Sequence, residues 1–314
     1  MKDSGVLRLA VLSCVLPVLA GCGAAVTLAG AKSNPPNNGG PAGLKTPNGG
    51  AAAGGSEGLR FHLGTFTPHV HGIDACPTCF GITSSSTNAL VPTDALAAGG
   101  LQNLNGWFAA TDTSGESGTA SGTTELVGSP SLSGSAREFA TSYANSGDER
   151  YAAPFGLDTE STHFIYDGWV YLASPSSDIA NLEMDLNQVM ANGQTVIFGF
   201  QCDGYSGTWD YTKNAGTPNA PVDQWVHTTE PCNPRTWTTD TWHHVQISFA
   251  RDDAGNATYN AVWLDGNEQV INATVPAAFA LGWSSTLLTN LQVDGLGSGG
   301  SSTVYLDQLT VYRW

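Results

Sequence analysis

Short runs of alternating apolar and polar residues recur from about Leu101 to the end of the chain, separated by Gly, Asp, Asn and Pro. Because successive side chains of a β-strand point to opposite faces, this period of two predicts half-buried strands. No stretch sustains the 3.6-residue period of a helix, so we expect few helices. The candidate strands are residues 136–144, 162–173, 181–190, 194–203, 241–251, 257–266, 286–295 and 302–314. Many short strands with turn residues between them are typical of a two-sheet antiparallel sandwich or a barrel.

One pair of strands has the sequence of a hairpin. The run HHVQISFAR (243–251) is followed by DDAGN and then by ATYNAVWLDG (257–266). A short connection that contains Gly, placed between two alternating runs, predicts two antiparallel neighbours.

The N-terminus has the features of an export signal. Lys2 and Arg8 precede an apolar run, residues 9–20, that is too short to span a bilayer as a helix. The run ends in LAGC (19–22), which resembles a bacterial lipobox. This resemblance implies cleavage before Cys22, lipidation of its thiol, and a bacterial protein anchored to the cell envelope, at the outer membrane or cell surface. The alternative is an ordinary signal peptide with a chance cysteine.

The rest of the chain divides into three parts. Gly, Ala, Pro and Asn make up 26 of the 36 residues from 23 to 58, a composition that cannot form a core. We therefore expect residues 22–58 to be a disordered tether, with a reach of about 30 Å. Residues 59–100 are expected to be an irregular lead-in, and residues 101–314 to be one all-β domain.

The charge balance excludes several classes of partner. The full chain carries a net charge of −16, and removal of residues 1–21 leaves 9 basic and 26 acidic residues. A chain this acidic repels nucleic acid and anionic lipid head groups. Its composition favours an exported β protein that handles neutral ligands.

Four cysteines remain once the signal is removed and Cys22 is lipidated: Cys76, Cys79, Cys202 and Cys232. An even number in an oxidising compartment predicts disulfides. We expect Cys202–Cys232 and Cys76–Cys79, because each pair flanks one local loop.

The second of these pairs has an alternative role. His69 and His71 lie close to Cys76 and Cys79, and two His with two Cys can bind zinc in a tetrahedral site. In an exported protein we favour the disulfide.

Several runs together resemble one superfamily. VYLDQLTVYRW (304–314) is similar to the closing strand of concanavalin A-like jelly rolls, and WHHVQISF (242–249) followed by WLDGN (263–267) resembles their laminin-G-like and legume-lectin-like members. With NLEMDLNQ (181–188), the resemblance covers residues 101–314. It implies a jelly-roll sandwich with a concave face that binds carbohydrate.

NLEMDLNQ also resembles the catalytic strand of family-16 glycoside hydrolases. In that family the first Glu attacks the sugar and the last Glu donates the proton. Glu183 matches the nucleophile and Asp185 the middle carboxylate, but the last position is Asn187 in the short spacing or Gln188 in the long one. Because an amide cannot supply the proton, the resemblance does not extend to hydrolysis.

Carbohydrate binding without turnover is the function we predict. Glu183, Asp185 and Asn187, with Gln201 and Asp203 on the next strand, would form a polar patch. Flat indole rings suit the apolar faces of sugars, and the segment 204–240, expected to form loops around the patch, supplies Trp209, Trp225 and Trp237. The carboxylates could also be an ordinary solvated strand face, and each tryptophan a core residue.

Two rival functions remain open. The first is a polysaccharide lyase on the same fold, which needs a base; the candidates are His163, His227, His243, His244, Tyr205, Tyr211 and Tyr259. The second is a structural cell-envelope lipoprotein with no small ligand.

A structural calcium ion is the one cofactor that the resemblance suggests. Asp307 matches the Asp of the closing strand that helps to hold calcium in some relatives. One sequence position cannot show the six to eight oxygen ligands that calcium requires.

Overall fold

The computed structural model describes residues 90–112, 118–176 and 178–314. These residues form an all-β fold in which two antiparallel sheets pack as a sandwich, as the sequence predicts. Helical structure in these residues consists of two single-turn 3₁₀ segments, Leu101–Asn103 and Pro234–Thr236. The described part of the chain contains no helix with the length and apolar character needed to cross a membrane.

One sheet has eight strands. They are β1 (Leu96–Gly99), β3 (Thr119–Val127), β4 (Ala136–Ala144), β6 (His163–Leu172), β12 (Trp242–Arg251), β13 (Asn256–Leu264), β14 (Asn267–Pro276) and β17 (Gly300–Arg313). The order across the sheet is β14-β13-β12-β6-β17-β4-β3, and β1 also pairs with β17. The long closing strand β17 therefore lies near the middle of the sheet.

The other sheet has nine strands. They are β2 (Phe108–Asp112), β5 (Asp148–Gly156), β7 (Ile179–Val189), β8 (Thr195–Phe198), β9 (Phe200–Asp203), β10 (Thr208–Asn214), β11 (Asp223–Pro231), β15 (Ala278–Phe279) and β16 (Leu287–Gly295). The order is β11-β10-β9-β7-β16-β5-β2, with β8 beside β7 and β15 beside β8. The strand β7 therefore sits at the centre, with a partner on each side.

The core lies between the two sheets and is rich in aromatic rings. The Phe198 ring from β8 lies 5.5 Å from the Phe164 ring and 5.3 Å from the Phe249 ring, both of which come from the eight-stranded sheet. Phe200 from β9 stacks on Tyr259 from β13. Burial of these rings, at about 25 cal/mol for each Å² of apolar surface, holds the sheets together.

The predicted hairpin is confirmed. The strands β12 and β13 pair from Val245–Leu264 to Arg251–Ala257. The connection ends at Gly255, whose φ is +79°, a left-handed conformation that Gly adopts without strain.

Two parts of the chain differ from the sequence expectation. The segment 204–240 was expected to form loops, but it contributes strands β10 and β11, because β10 pairs with β9 and β11 pairs with β10. The strand β1 lies before Leu101, within the stretch expected to be irregular, and pairs with β17 from Leu96–Arg313 to Gly99–Thr310.

The predicted Cys202–Cys232 disulfide is confirmed. It joins the end of β9 to the residue that follows β11, and both cysteines are buried. The loop that it closes has a sequence separation of 30 residues.

Asp307 anchors a loop to the closing strand. Its Oδ2 accepts hydrogen bonds from the Ser131 hydroxyl and from the Leu132 and Ser133 amides. Its Oδ1 accepts from the Ser133 hydroxyl, the Gln102 amide group and the Gln308 amide. Protein donors thus occupy the oxygens that a calcium ion would need, and this arrangement does not favour the calcium site suggested for Asp307.

The pKa of Asp307 follows from this network. Burial by itself would raise the pKa of this carboxyl, but the hydrogen bonds from Ser133, Ser131 and Leu132 outweigh burial and hold the pKa below its ordinary value. Because the folded-state pKa is lowered, the carboxylate adds stability above its ordinary pKa of about 3.9, and that stability is lost as the pH falls through the lower folded value.

We predict that Asp307→Asn lowers the free energy of unfolding at neutral pH by at least about 2 kcal/mol, since an amide accepts fewer of these bonds and turns an NH₂ group towards the donors. Urea unfolding measures the loss. The deficit of the variant should shrink in acid, where the wild-type carboxylate becomes protonated. Asp253→Asn is the control, because the side chain of Asp253 is fully exposed. Equal unfolding free energies for Asp307→Asn and wild type would contradict the anchoring role.

Candidate functional site

Polar side chains cover the outer face of the nine-stranded sheet. In β7, Leu182, Met184 and Leu186 belong to the core between the sheets, so the alternate residues point outwards. The strand register pairs Glu183 with Gln201 and Asn181 with Asp203. The residues predicted as a binding patch therefore share one face: Glu183, Asp185, Asn187, Gln201 and Asp203. That they bind a ligand stays a prediction.

The register extends this face into rows that run across the strands. The row that we call the central row has one residue from each of β5, β16, β7, β9, β10 and β11: Arg150, Gln292, Glu183, Gln201, Asp210 and His227. The row on one side of it contains Asp148, Asp294, Asn181, Asp203 and Thr208. The row on the other side contains Phe108, Ala152, Asn290 and Asp185.

Glu183 and Asp185 form a buried carboxyl pair. Burial raises the pKa of Glu183 well above its ordinary value, and the adjacent charge of Asp185 raises it further. Burial also raises the pKa of Asp185, but its Oδ1 accepts from the Phe200 amide at 3.0 Å and its Oδ2 from the Asn290 amide group at 3.0 Å, and these bonds oppose the rise. We therefore assign the proton of the pair to Glu183 and the negative charge to Asp185.

Amide side chains extend the hydrogen bonding from this pair. Asn290, which donates to Asp185, accepts in turn from Asn187 Nδ2 at 3.1 Å. The Oδ1 atom of Asn187 is buried and has no hydrogen-bond partner in the described structure. The face thus holds at least one acceptor that no protein group in the described ranges satisfies.

A second carboxyl pair lies at the other end of the central row. His227 Nδ1 lies 2.6 Å from Asp210 Oδ2 and 4.0 Å from Asp203 Oδ2. Burial, reinforced by the hydrogen bond with Asp203, raises the pKa of Asp210 to about 7, although hydrogen bonds with Thr208 and His227 oppose the rise. The two aspartates are buried, whereas the His227 side chain is 58% exposed.

Gln201 stands between the two carboxyl pairs in the central row. It is 3% exposed, and among the described residues its side chain makes no hydrogen bond. An unpaired amide at this place is available to hydrogen-bond a ligand.

The structure explains why the family-16 motif is incomplete in both spacings. Asn187 lies on the outer face with Glu183 and Asp185, but it is an amide. Gln188 points to the opposite side of the strand, where its amide group donates to the Asp158 and Ser161 carbonyls and its oxygen accepts from Arg251. Gln188 is therefore a structural residue and not part of the polar face.

Two of the three tryptophans predicted as ligand-binding residues are core residues, so that part of the prediction is wrong for Trp209 and Trp237. Trp209 is fully buried in β10, stacks on Phe200 at 5.2 Å and donates its indole N–H to Gln269. Trp237 is 8% exposed and packs on the His243 ring at 5.1 Å. Both indole rings belong to the core cluster and are therefore not available to stack on a sugar.

Trp225 keeps a place near the polar face. It lies in β11 two residues before His227, hence on the same side of that strand, and it is half-buried. Its binding role stays a prediction. The lipidation site Cys22 and the Cys76–Cys79 disulfide lie outside the described residues.

Sequence reasoning missed half of the polar face. Asn290, Gln292 and Asp294 occupy alternate positions of LLTNLQVDG (287–295), so the same period of two that marked β7 would have found them. Asp210 and Arg150 had no such signal, because the segments around them were not recognised as strands.

Comparison with known proteins gives distant likenesses only. No family model matches the chain, and no curated protein matches it. Among solved structures, the chain is similar to one from a study of the promiscuous specificity of β-sandwich carbohydrate-binding modules, with a TM-score of 0.33, 13% identity, and coverage of 66% of this chain and 57% of that chain. The chain thus spans less than two thirds of the length of that structure.

Two other solved structures show similar scores. Alginate lyase vAL-1 from Chlorella virus has a TM-score of 0.39 and 10% identity, over 62% of this chain and 90% of that chain. The carbohydrate-binding module CBM66 from Bacillus subtilis has a TM-score of 0.34 and 11% identity, over 66% of this chain and 95% of that chain. Likenesses this distant carry no conclusion about ligand or activity.

The buried Glu183 predicts an unusual pH dependence. Because its folded-state pKa is raised, the folded protein holds more protons than the unfolded chain from about pH 4.3 upwards, and stability falls as the pH rises through this window. Glu183→Gln keeps a donor for Asp185 without titrating. We expect the variant to gain stability relative to wild type between pH 5 and pH 8, as measured by urea unfolding.

Asp253→Asn changes an exposed carboxyl, so its free energy of unfolding should change with pH in the same way as that of wild type. If the free energy of unfolding of Glu183→Gln also changes with pH as that of wild type does, Glu183 does not hold the proton.

Proposed function

We propose that the outer face of the nine-stranded sheet binds a neutral glycan without turnover, in the manner of concanavalin A-like lectins. The observation that carries the proposal is the central row, in which the unpaired amide of Gln201 lies between Glu183 and Asp210. Carboxyl and amide groups at neighbouring strand positions can both donate to and accept from sugar hydroxyls. Phe108 and Trp225, at opposite edges of the sheet, supply half-buried aromatic rings.

The charges of the face support a neutral ligand over an acidic one. The central row and its two flanking rows contain six carboxyl residues, Asp148, Glu183, Asp185, Asp203, Asp210 and Asp294, and one guanidinium group, that of Arg150. Even with Glu183 protonated, these rows repel a uronate or sulfate group. The net charge of −16 for the whole chain acts in the same direction.

The geometry of the carboxyl pair supports binding over hydrolysis. Retaining hydrolysis requires two carboxyl groups about 5 Å apart on either side of the scissile bond. Glu183 and Asp185 instead lie two residues apart on one strand, both are buried, and each shifts the pKa of the other. Asn187 stands where the family-16 acid would be, and it cannot protonate a leaving group.

A lyase is the second candidate, and His227 is the observation in its favour. Its exposed imidazole is 2.6 Å from Asp210, an arrangement that can orient a general base. Removal of a proton beside a uronate carboxylate also requires neutralisation of that carboxylate, and the acidic rows are poorly suited to this.

The test is a glycan array followed by titration calorimetry on the best glycan. We predict that Gln201→Ala weakens binding at least about tenfold, since one hydrogen bond of about 1.4 kcal/mol corresponds to that factor. Glu183→Ala should weaken binding similarly, and Asp253→Asn should bind as wild type does. Absence of binding by wild type would leave the structural-lipoprotein reading and end the proposal.

Product analysis separates binding from turnover in the same samples. Wild type should release neither reducing ends nor unsaturated sugars from the glycans that it binds. Unsaturated products that disappear in His227→Ala would establish the lyase instead.

We also propose that the domain is held at the bacterial cell envelope by lipid on Cys22. The LAGC sequence and the Gly-, Ala-, Pro- and Asn-rich tether support this placement. We expect wild type expressed in a bacterium to partition into the detergent phase and Cys22→Ser to partition into the aqueous phase. Equal partitioning of the two would exclude the anchor.

A further inference from the structure

We infer that Asp203, Asp210 and His227 form a binding site for one divalent transition-metal ion of the Zn²⁺ type. One ligand atom from each of these residues lies within 4.8 Å of the other two. In a tetrahedral zinc site with bonds of about 2.1 Å, neighbouring ligand atoms are about 3.4 Å apart. The cluster therefore reaches this geometry with a shift of about 1 Å, which the exposed His227 side chain can make.

One oxygen of each aspartate is held by a protein donor and the other lies nearest to His227, where Ser206 Oγ also donates to Asp210 Oδ2 at 3.3 Å. Asp203 Oδ1 accepts from the Tyr205 amide at 2.6 Å, and Asp210 Oδ1 accepts from the Thr208 hydroxyl at 2.8 Å. The Oδ2 atoms of both aspartates are the ones nearest to His227 Nδ1. Hydrogen bonds that fix ligands in this way are typical of metal sites.

Gln201 provides an independent indication of a ligand site. It is directly across from Asp210 in the strand register and two residues before Asp203, so all three point to the same face. The residue is only 3% exposed, and in the described part of the chain its side chain has no hydrogen-bond partner. The amide oxygen can serve as a fourth ligand, or the amide group can bind a water held by the ion.

The ligand set selects the class of ion. One imidazole nitrogen with two or three oxygens suits zinc and its neighbours in the first transition row, whereas calcium and magnesium favour oxygen alone. Two carboxylates and a neutral imidazole also balance the charge of a divalent cation.

The scaffold holds the ligands rigidly. Asp203 follows Cys202, whose disulfide to Cys232 joins β9 to the end of β11, and β10 lies hydrogen-bonded between those strands. Rigid strands keep the distances between ligands fixed before the ion arrives. The exposed imidazole leaves a path from solvent.

The experiment measures zinc bound to the full-length protein after treatment with a chelator and dialysis against a defined free Zn²⁺ concentration. Because residues 69–79 contain other candidate zinc ligands, the decisive quantity is the difference between wild type and each variant. We expect His227→Ala and Asp210→Asn to lose one equivalent of zinc at concentrations that saturate wild type, with affinity weakened at least about tenfold.

His244→Ala is the matched control, since His244 also has an aspartate partner, Asp167 at 2.7 Å, but no third ligand among the described residues. It should bind as much zinc as wild type. Co²⁺ titration gives a second readout, in which visible bands assigned to a site with a nitrogen ligand should be lost only in the His227 and Asp210 variants. Equal zinc content in wild type and His227→Ala, which should fold because the side chain is exposed, overturns the inference.

The zinc experiment and the glycan experiment can fail independently of each other. Zinc content is measured without any sugar, and the array can be run with chelator present. Loss of either activity therefore leaves the other measurable.

Discussion

Burial of Leu182, Met184 and Leu186 between the sheets is the constraint on which the polar face depends. Since strand side chains alternate, fixing these three inwards fixes Glu183, Asp185 and Asn187 outwards, and a slip of one residue would exchange the two sets. The same register aligns β7 with β9 and with β16. The apolar core therefore decides not only that the sheets pack but which polar groups become neighbours.

The outer face is an unusual environment because it is both polar and nearly dry. Burial raises the pKa of Glu183 well above its ordinary value, whereas bonds from Phe200 and Asn290 oppose the rise in the pKa of Asp185. Two neutral groups of this face have no hydrogen-bond partner within the described ranges: the Asn187 oxygen and the Gln201 amide. Local violations of this kind are expected mainly at functional or strained sites.

The sequence was informative wherever a strand has one buried and one polar side. The alternation in NLEMDLNQ predicted the face that carries Glu183 and Asp185, and two cysteines around one local loop predicted the Cys202–Cys232 bond. Prediction from sequence failed for strands that are buried on both sides. The strand β10 buries Trp209 on one side and Asp210 on the other, so no alternation in exposure marked it. The approach of His227 to Asp210 depends on the pairing of β10 with β11, which no local motif reports.

Asp307 shows a related limit of prediction from sequence. Its position in the closing strand was correctly singled out, but its partners Ser131 and Ser133 lie more than 170 residues earlier in the chain. A carboxylate at this position of a closing strand can accept from an ion or from the donors of a loop. Only the three-dimensional positions of the donors distinguish the two roles.

The direction of the central row has a further consequence. The row crosses the strands, and from β5 to β11 it makes five steps of about 4.8 Å, or roughly 24 Å in all. An elongated molecule that lies along this row would contact one further strand at each step. Oligomers should therefore gain contacts unit by unit until they reach the width of the sheet, so that chain length, and not composition alone, would set selectivity.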